Sequence, residues 1–460
     1  MPTGSSETNA DQTSQDKLHK KFTWKELSAL NKPENVHVAY KGKVYDVSSF
    51  VSSHPGGVDQ IMMGAGRDIT HLFDVYHQPQ TIKFLEKYYV GELTDVEFVT
   101  YPEEKNQFYS TLKKRVKEKF KSLQIDTKFD YKMFLLYFTY CSFCALTWYS
   151  MLISGDSYWL RGIFSSAALG IFTGLSFYSM FHDASHCCIT HSPMVWRIAR
   201  IIVQCVTGLS MYCWMYRHTC GHHIYTNVDI ADPDCRTQVM KKEVWRLKHK
   251  QSWFKRYEYQ HLYMPLFIYT FYSVIMNVQD FVVMKNLEIG RIRLNPPSTY
   301  QRREFYFMKI FHHTMRLIVP LFYMSLTSML LYNLIYQVVL GHWILLLAQL
   351  SHLTTKVSLS EDIALQNKSW AEYQVLTTKD YDTDSLLCTL LTGTLNHQVA
   401  HHLFPDVLQS YYPIITPIVR DTCKEFGIQY NCEASLFVAI KEHLTFLFKM
   451  GQEPAETKTH

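Results

Sequence analysis

Two stretches of this chain fit only a bilayer or a deeply buried core. Residues 131–153 (YKMFLLYFTYCSFCALTWYSMLI) and 158–181 are almost free of charge, and each exceeds the roughly 20 apolar residues that cross a hydrocarbon layer about 30 Å thick. Arg161 stands near the end of the second, where a long cation can snorkel to the interface. A third apolar tract, about 314–351, is too long for one span and fits two, joined near Tyr332 and Asn333. A weaker run, 262–284, ends in Gln279 and Asp280. A span there would put the last third of the chain on the opposite side from residues 182–260. It is therefore read as an interfacial or protein-packed helix. Four spans leave residues 182–260 and 352–460 on one side.

Charge says which side. Charged residues make up 19% of the chain, below the usual quarter. The basic ones gather beside the apolar runs, at Lys113, Lys114, Arg115, Lys117, Lys119 and Lys121, and at Lys241, Lys242, Arg246, Lys248 and Lys250. Such flanks mark the cytosolic face. The net charge of +5 is too small to point to nucleic acid. Residues 1–20 are polar, lack the apolar core of a secretory signal and read as a disordered tail. Of the 11 cysteines, Cys141 and Cys144 form a C-x-x-C inside an apolar run. No second pair accompanies them, so they and the others read as small core residues in a reducing compartment.

Residues 21–95 differ in character. "VHVAYKGKVYDV" alternates apolar and polar residues about a Lys-Gly turn, a hairpin pattern with Val36, Val38 and Tyr40 on one face. "VDQIMMGAG" and "TIKFLEKYY" suggest short helices. Between them lies His54-Pro55-Gly56-Gly57, a tight turn that leaves a histidine nitrogen free to face a cofactor. Residues 96–130 read as a basic connector with an amphipathic helix near 106–123. The segment 451–460 is a polar tail.

Three histidine clusters follow. His182 and His186 are four apart and share a helical face. His218 and His222 do the same, with His223 a quarter turn round. Gln398, His401 and His402, at i, i+3 and i+4, form a third face. One such cluster is commonplace. Three on one membrane side, seven imidazoles in all, exceed the needs of one metal and suit two ions of iron, zinc or copper type. His352, a polar group ending the fourth span, is an eighth candidate; His191 and His397 are weaker ones. Asp183, Asp232, Asp234 and Asn227 are candidates to hold the other ring nitrogens. Tyr212, Trp214, Tyr216, Trp370 and Gln374 lie near the clusters and are candidate liners of a substrate tunnel.

"YDVSSFVSSHPGG" resembles the cytochrome b5 family. That resemblance implies haem b held by two axial histidines, His54 and a second about two dozen residues on. "LFDVYH" supplies His77, with Phe73 to pack the ring, and His71 is the competing position. Two histidine ligands leave the iron no open site, so such a haem transfers electrons. The order H-x-x-x-H, H-x-x-x-H-H, Q-x-x-H-H, with "GHHIYTNVDIADPD" and "LNHQVAHHLFP", resembles the membrane fatty-acid desaturases. Gln398 heading the third cluster and the fused haem domain resemble the front-end subgroup, delta-5 enzymes above all. The fold implied is an α+β cytochrome b5-like haem domain followed by an all-α integral-membrane desaturase domain over 131–450, with about four transmembrane helices and a cytosolic histidine-rich cap.

The implied activity is oxygen-dependent desaturation of polyunsaturated fatty-acyl chains, delta-5 on 20-carbon substrates. Its cofactors would be two non-haem iron ions and haem b, with electrons from NADH through a cytochrome b5 reductase. Its partners would be the fatty-acyl substrate, dioxygen, that reductase and membrane lipid. The implied location is the endoplasmic reticulum membrane, multi-pass, with both termini cytosolic. Delta-4 or delta-6 desaturation, and a sphingolipid desaturase or hydroxylase, would use the same metal residues. A membrane haem protein without an iron pair would need all three clusters to be incidental. A zinc protease or transporter lacks its H-E-x-x-H motif or acidic residues within the spans.

Overall fold

The structure is a computed structural model that describes residues 20–97, 101–228, 231–235, 238–239, 242–359, 365 and 367–454. The expected tails lie almost wholly outside these residues. Lys20 and Gly451 are exceptions: Lys20 belongs to a strand, Lys20–Phe22, and pairs with Gly91, and Gly451 ends the helix Leu436–Gly451 and is buried. The chain divides into two compact units between residues 100 and 101.

The first unit is built on a five-stranded sheet. Its central hairpin joins Asn35–Tyr40 to Lys43–Asp46. Lys41 and Gly42 both take positive φ, 50° and 76°, the combination that lets a two-residue turn follow the twist of its strands. Alternation then separates two apolar layers. Val36, Val38 and Tyr40 join Tyr45, Val51 and Phe73 on one side. Ala39 and Val44 join Phe22 and Leu27 on the other. Short helices Val58–Gly64 and Thr70–Tyr76 cover the first layer.

The second unit is almost entirely helical. Among the described residues three helices are long and apolar enough to cross a membrane, Tyr131–Ser154, Trp159–Ser185 and Leu326–Gln349, or up to five if each of two bent helix pairs is one span. Their outward side chains, such as Leu135, Phe138, Leu146 and Phe164, are exposed, as lipid-facing residues are. Trp159–Ser185 packs on Leu326–Gln349 through a stripe of small residues spaced by four, Gly162, Ser166, Gly170 and Gly174. A Cβ on Gly162 would fall 2.1 Å from the Tyr332 ring, and one on Gly174 would fall 2.6 Å from Trp343. Small residues at this spacing let two helix backbones approach closely.

The tract 314–351 departs from expectation. Tyr332 and Asn333 are not a junction; they lie inside Leu326–Gly341, the first part of the helix that runs on to Gln349. The turn falls earlier, at Tyr323–Ser325, where Pro320 sits in a short 3-10 segment and Ser325 caps the next helix. The helix before it begins at Thr299 and contains Arg302, Arg303, Glu304, Lys309 and Arg316, which hide it from a hydropathy reading. Two of these charges are answered inside the protein. Lys309 pairs with Asp280 at 2.7 Å. The Arg316 guanidinium lies over the Tyr336 ring and donates to Asn333 at 2.8 Å.

The turn after Ser154 and the turn before Leu326 meet. Asp156 accepts from the Ser325 backbone N–H, and the Tyr332 hydroxyl donates to the Gly155 carbonyl at 3.0 Å. Exposed Tyr158, Trp159, Phe322 and Tyr323 ring this end, an aromatic belt of the kind found at bilayer interfaces. From there Trp159–Ser185 and Leu326–Gln349 run together to the opposite end, where His182 and His352 stand. The weaker apolar run forms a broken pair, Gln260–Tyr269 and Tyr272–Asn286, bent by 68°.

Residues 108–123 form the expected amphipathic helix, but it is no free connector. Phe108, Tyr109, Leu112, Val116 and Phe120 are buried, and Arg115 reaches Glu425 on the helix Tyr412–Glu425 at 2.6 Å. Cys144 is buried against Thr173 and Ser176, and the described cysteines with placed side chains are free thiols.

Candidate functional site

In the first unit His54 and His77 face each other, ring centroids 6.1 Å apart. His54 closes a short 3-10 turn, Ser48–Ser53, and its Nδ1 lies 3.3 Å from the Gly57 carbonyl. That leaves Nε2 to point outward. A Cβ on Gly56 would come within 2.8 Å of the His54 ring, so the glycine is required for the ring to sit there. His77 follows the helix Thr70–Tyr76 and stacks on Phe73 at 4.4 Å. His71, the competing position, lies within that helix. Two imidazoles facing each other at this distance fit a six-coordinate haem iron.

The second unit gathers eight histidines into two groups whose donor atoms lie within 4.8 Å of one another: His182, His186, His218, His223 and His401, and then His222, His352 and His402. All eight are buried. The helix-face expectation holds for His182 and His186 but fails for the other clusters. Tyr216–His222 is a π-helical turn. Its i to i+5 spacing places His218 with His223, ring centroids 4.6 Å apart, and sends His222 to the second group. Such turns insert one residue and rotate all that follows. Another, Phe177–Phe181, delivers His182. In the third cluster His401 joins the first group. His402 and Gln398, one turn apart, join the second, with Gln398 Nε2 3.3 Å from His352 Nε2 and 3.4 Å from His402 Nε2.

The donor set fits cations. Nε2 of His218 lies 3.0 Å from Nε2 of His182 and 3.2 Å from Nε2 of His223. Neutral imidazoles gain little by turning three such nitrogens on one point, whereas a metal ion needs that arrangement. The Nε2 of His401 and the Oε1 of Gln398 are buried without a hydrogen-bond partner among the described residues. Burial drives the imidazoles of His401 and His402 well below their usual pKa and that of His352 down to about 3, so all three are neutral and able to bind metal.

Of the four candidate supporting residues, one holds a histidine directly. Asp232 accepts from His222 Nδ1 at 3.1 Å. Asp234 pairs with Arg217 at 2.5 Å and lies 3.8 Å from His222 Nδ1, beyond hydrogen-bond reach. Asn227 donates to the carbonyls of His352 and Thr377. Asp183 is bound by the Tyr137 hydroxyl and by Gln409 at 2.6 Å. Two supports escaped the sequence reading: Tyr412, whose hydroxyl is 3.0 Å from His401 Nδ1, and Gln374 in this role, its Oε1 2.9 Å from His402 Nδ1. Gln374 stands 28 residues from His402 and Tyr412 stands 11 from His401, each on another helix, so no helical spacing announces them. His191 is exposed and pairs with Asp126, and His397 is held by Thr416 at 2.9 Å; both stand outside the groups.

A cavity adjoins the histidines, lined by Phe177, Tyr178, Trp214, Tyr272, Leu345 and Gln349 together with His182, His218, His222, His352 and Gln398. It shares Asp234, Tyr272, Leu345 and Gln349 with a second cavity that reaches Trp245, Met264 and Ile268. Of the candidate tunnel liners, Trp214 lines the first. Trp370 packs on Tyr109 and Tyr212 on Tyr216.

A small bis-histidine haem fold and a membrane-type helical unit with eight converging imidazoles beside an apolar cavity define the class of haem-fused membrane oxidoreductases that act on lipid chains. The chain belongs to the fatty acid desaturase family, whose profile matches residues 157–434. The cytochrome b5-like haem/steroid binding domain matches residues 23–94. Similar proteins extend along its length. Acyl-lipid (8-3)-desaturase B of Dictyostelium discoideum is 36% identical, with 97% of each chain covered. The acyl-lipid (8-3)-desaturase of Mortierella alpina is 36% identical over 95% of this chain and 98% of its own. Delta(5) fatty acid desaturase A of Dictyostelium discoideum is 34% identical over 95% and 96%. The protein is thus a desaturase, an oxidoreductase of fatty-acyl chains that uses dioxygen.

Proposed function

We propose that this desaturase is a front-end enzyme that places a delta-5 double bond in 20-carbon polyunsaturated acyl chains. The observation that carries the reading is the full-length similarity to proteins named delta-5 and (8-3) desaturases. Gln398, where an ordinary third cluster has histidine, points the same way.

In this reading His182, His186, His218, His223 and His401 hold one iron, and His222, His352 and His402, with Gln398 beside them, hold the other. The iron pair supplies the activation of dioxygen that removes two hydrogens from neighbouring methylenes, with water as the second product. His54 and His77 hold haem b, which supplies one-electron transfer from NADH by way of a cytochrome b5 reductase.

The chain's own residues do the rest. Asp232, Gln374 and Tyr412 fix ring orientation at His222, His402 and His401, since a ligand's remaining nitrogen sets its tautomer. Phe177, Tyr178, Tyr272 and Leu345 exclude water and hold the acyl chain at one depth, which matters because neighbouring methylenes are chemically alike. We place the protein in the endoplasmic reticulum membrane with both termini cytosolic. The two turns at Gly155 and Tyr323 face the lumen, and the broken pair Gln260–Asn286 packs at the cytosolic interface.

The test is a fatty-acid profile of yeast expressing the chain, fed polyunsaturated acids of several lengths in separate cultures. One added double bond at carbon 5 of a 20-carbon acid is the expected product. A new bond at carbon 4 or 6 would move the regiochemistry. Loss of acyl activity with gain of hydroxylated or desaturated sphingoid base would overturn the reading.

A further inference from the structure

One residue that lines the cavity beside the histidines, Trp214, carries a polar group that the chemistry above does not use. Trp214 is 8% exposed, and its indole Nε1 is buried with no acceptor among the described residues. The ring is held firmly: it stacks on His218 at 4.7 Å and takes Phe177 edge-on at 5.0 Å, with Phe181 at 5.8 Å. Other polar groups on the same wall have protein partners. The Tyr178 hydroxyl donates to the Ile344 carbonyl, the Tyr272 hydroxyl accepts from Arg217 at 3.1 Å, and Gln349 Nε2 donates to the Asp234 carbonyl at 3.4 Å. A buried N–H without an acceptor is costly, and an indole N–H donates only, so what relieves it must be an acceptor.

A fatty-acyl chain carries one strong acceptor near its reacting carbons, the carbonyl oxygen at C1. In an enzyme that desaturates far from the carboxyl end, that oxygen lies well outside the site. On the delta-5 reading, on which this inference rests, C1 stands only four bonds from C5. Its carbonyl must then enter the cavity that holds the reacting carbons and give up its water there. A desolvated carbonyl needs a donor, and Trp214 stacks directly on a histidine of the larger group.

We propose that Trp214 Nε1 donates a hydrogen bond to the acyl carbonyl and so sets the distance between C1 and the site, making Trp214 a determinant of regiochemistry. The same carbonyl is present whether the carrier is a phospholipid ester or a coenzyme A thioester. A donor held rigidly against His218 explains how counting can start at the carboxyl end.

The experiment uses the full-length, haem- and iron-loaded protein and Trp214→Phe, which keeps an aromatic ring at the position but loses the N–H together with part of the indole volume, so the readout that isolates the N–H is the preference for a carbonyl and not the rate. Competition against turnover is measured with a 20-carbon trienoyl phosphatidylcholine and its ether analogue, in which a methylene replaces the carbonyl. A parallel pair is the coenzyme A thioester and its S-alkyl thioether. With the carrier that the enzyme accepts, wild type should prefer the carbonyl compound by about tenfold, the factor a net hydrogen bond of ordinary strength supplies. Trp214→Phe should lose that preference and scatter the new double bond over neighbouring positions, with iron and haem content unchanged. An equal preference in both proteins overturns the inference. Should the variant fail to fold, a ratio near one in wild type overturns it alone. The position of the wild-type double bond is scored separately, so a failure of the delta-5 reading is told apart from a failure of the donor.

Discussion

The carboxylate of Asp380 accepts a hydrogen bond from the backbone N–H of Val399 at 2.8 Å. It thereby holds the first turn of Gln398–Leu403, the helix that sends His401 and His402 to different histidine groups. The carboxylate is itself fully buried and bound by the Tyr430 hydroxyl at 2.5 Å. Losing a cap of this kind costs about 1–2 kcal/mol. Asp380→Ala is expected to lower non-haem iron content and activity together while leaving the haem spectrum intact. Asp380→Asn, which keeps an acceptor oxygen, should retain more of both. Metal analysis beside visible absorbance checks this, and equal iron in all three proteins would count against the role.

In the first unit, His54 lies beyond the reach of such effects. His54→Ala removes one face of the haem groove and is expected to abolish the b5-type Soret band. Activity should vanish as well, even when separate cytochrome b5 is added, if the fused domain is the required donor. Retained haem absorbance would refute the ligand assignment. Retained activity with added cytochrome b5 would show that the fused domain can be bypassed.

Much of this site is legible in the sequence because its histidines come in local clusters, and a cluster survives errors of angle. The partition between the two groups is not legible. It depends on the π-helical turn at Tyr216–His222, and no residue pattern distinguishes that turn from ordinary helix. His352 was found because a polar residue at the end of an apolar run demands a reason. The helix from Thr299 was missed for the converse reason: Lys309 and Arg316 look like solvent residues until Asp280 and Tyr336 are placed beside them. Asp380, Gln374 and Tyr412 act from other elements and become visible only when the chain is folded. The small-residue stripe from Gly162 to Gly174 could have been read, since spacing by four was present and its physical meaning is known.

Within the larger group, the His401 ring is backed by Tyr412, whose hydroxyl lies 3.0 Å from its Nδ1. His401→Ala should remove desaturation and lower non-haem iron while the Soret band stays at full height, because the haem histidines lie in a separate compact unit. Product analysis paired with a haem spectrum checks both halves. Normal turnover would rule out the iron site as assigned.

Backbone packing around the site makes a prediction independent of metal. A Cβ added at Gly341 would stand 1.9 Å from the Tyr269 carbonyl oxygen, and a backbone oxygen cannot swing aside as a side chain can. Overpacking of this kind costs about 1–3 kcal/mol. Gly341→Ala is expected to lower the unfolding temperature of the detergent-solubilised protein, whereas alanine at Gly427, where nothing lies within 4 Å but φ is +65°, should act only through backbone strain and cost less. A Gly341→Ala protein as stable as wild type would mean that the helices at this crossing can separate freely.

Asp232 gives the sharpest separation of the two groups. Its carboxylate accepts from His222 Nδ1, and it also takes the backbone N–H groups of Asn227 at 2.7 Å and Asp234 at 2.8 Å, so it both shapes the turn and raises the basicity of the histidine. Asp232→Asn keeps an oxygen for the turn but weakens the ring contact, because an amide is a poorer acceptor than a carboxylate. Loss of such a partner lowers metal affinity by roughly 10- to 100-fold. His222 belongs to the three-histidine group, while the five-histidine group has no ligand bound to Asp232. At limiting iron the variant should therefore lose about half of its non-haem iron and most of its activity, and the remainder should resist chelation as in wild type. Equal loss from both groups would mean that the two ions bind as one unit, and unchanged iron would mean that the carboxylate serves the turn alone.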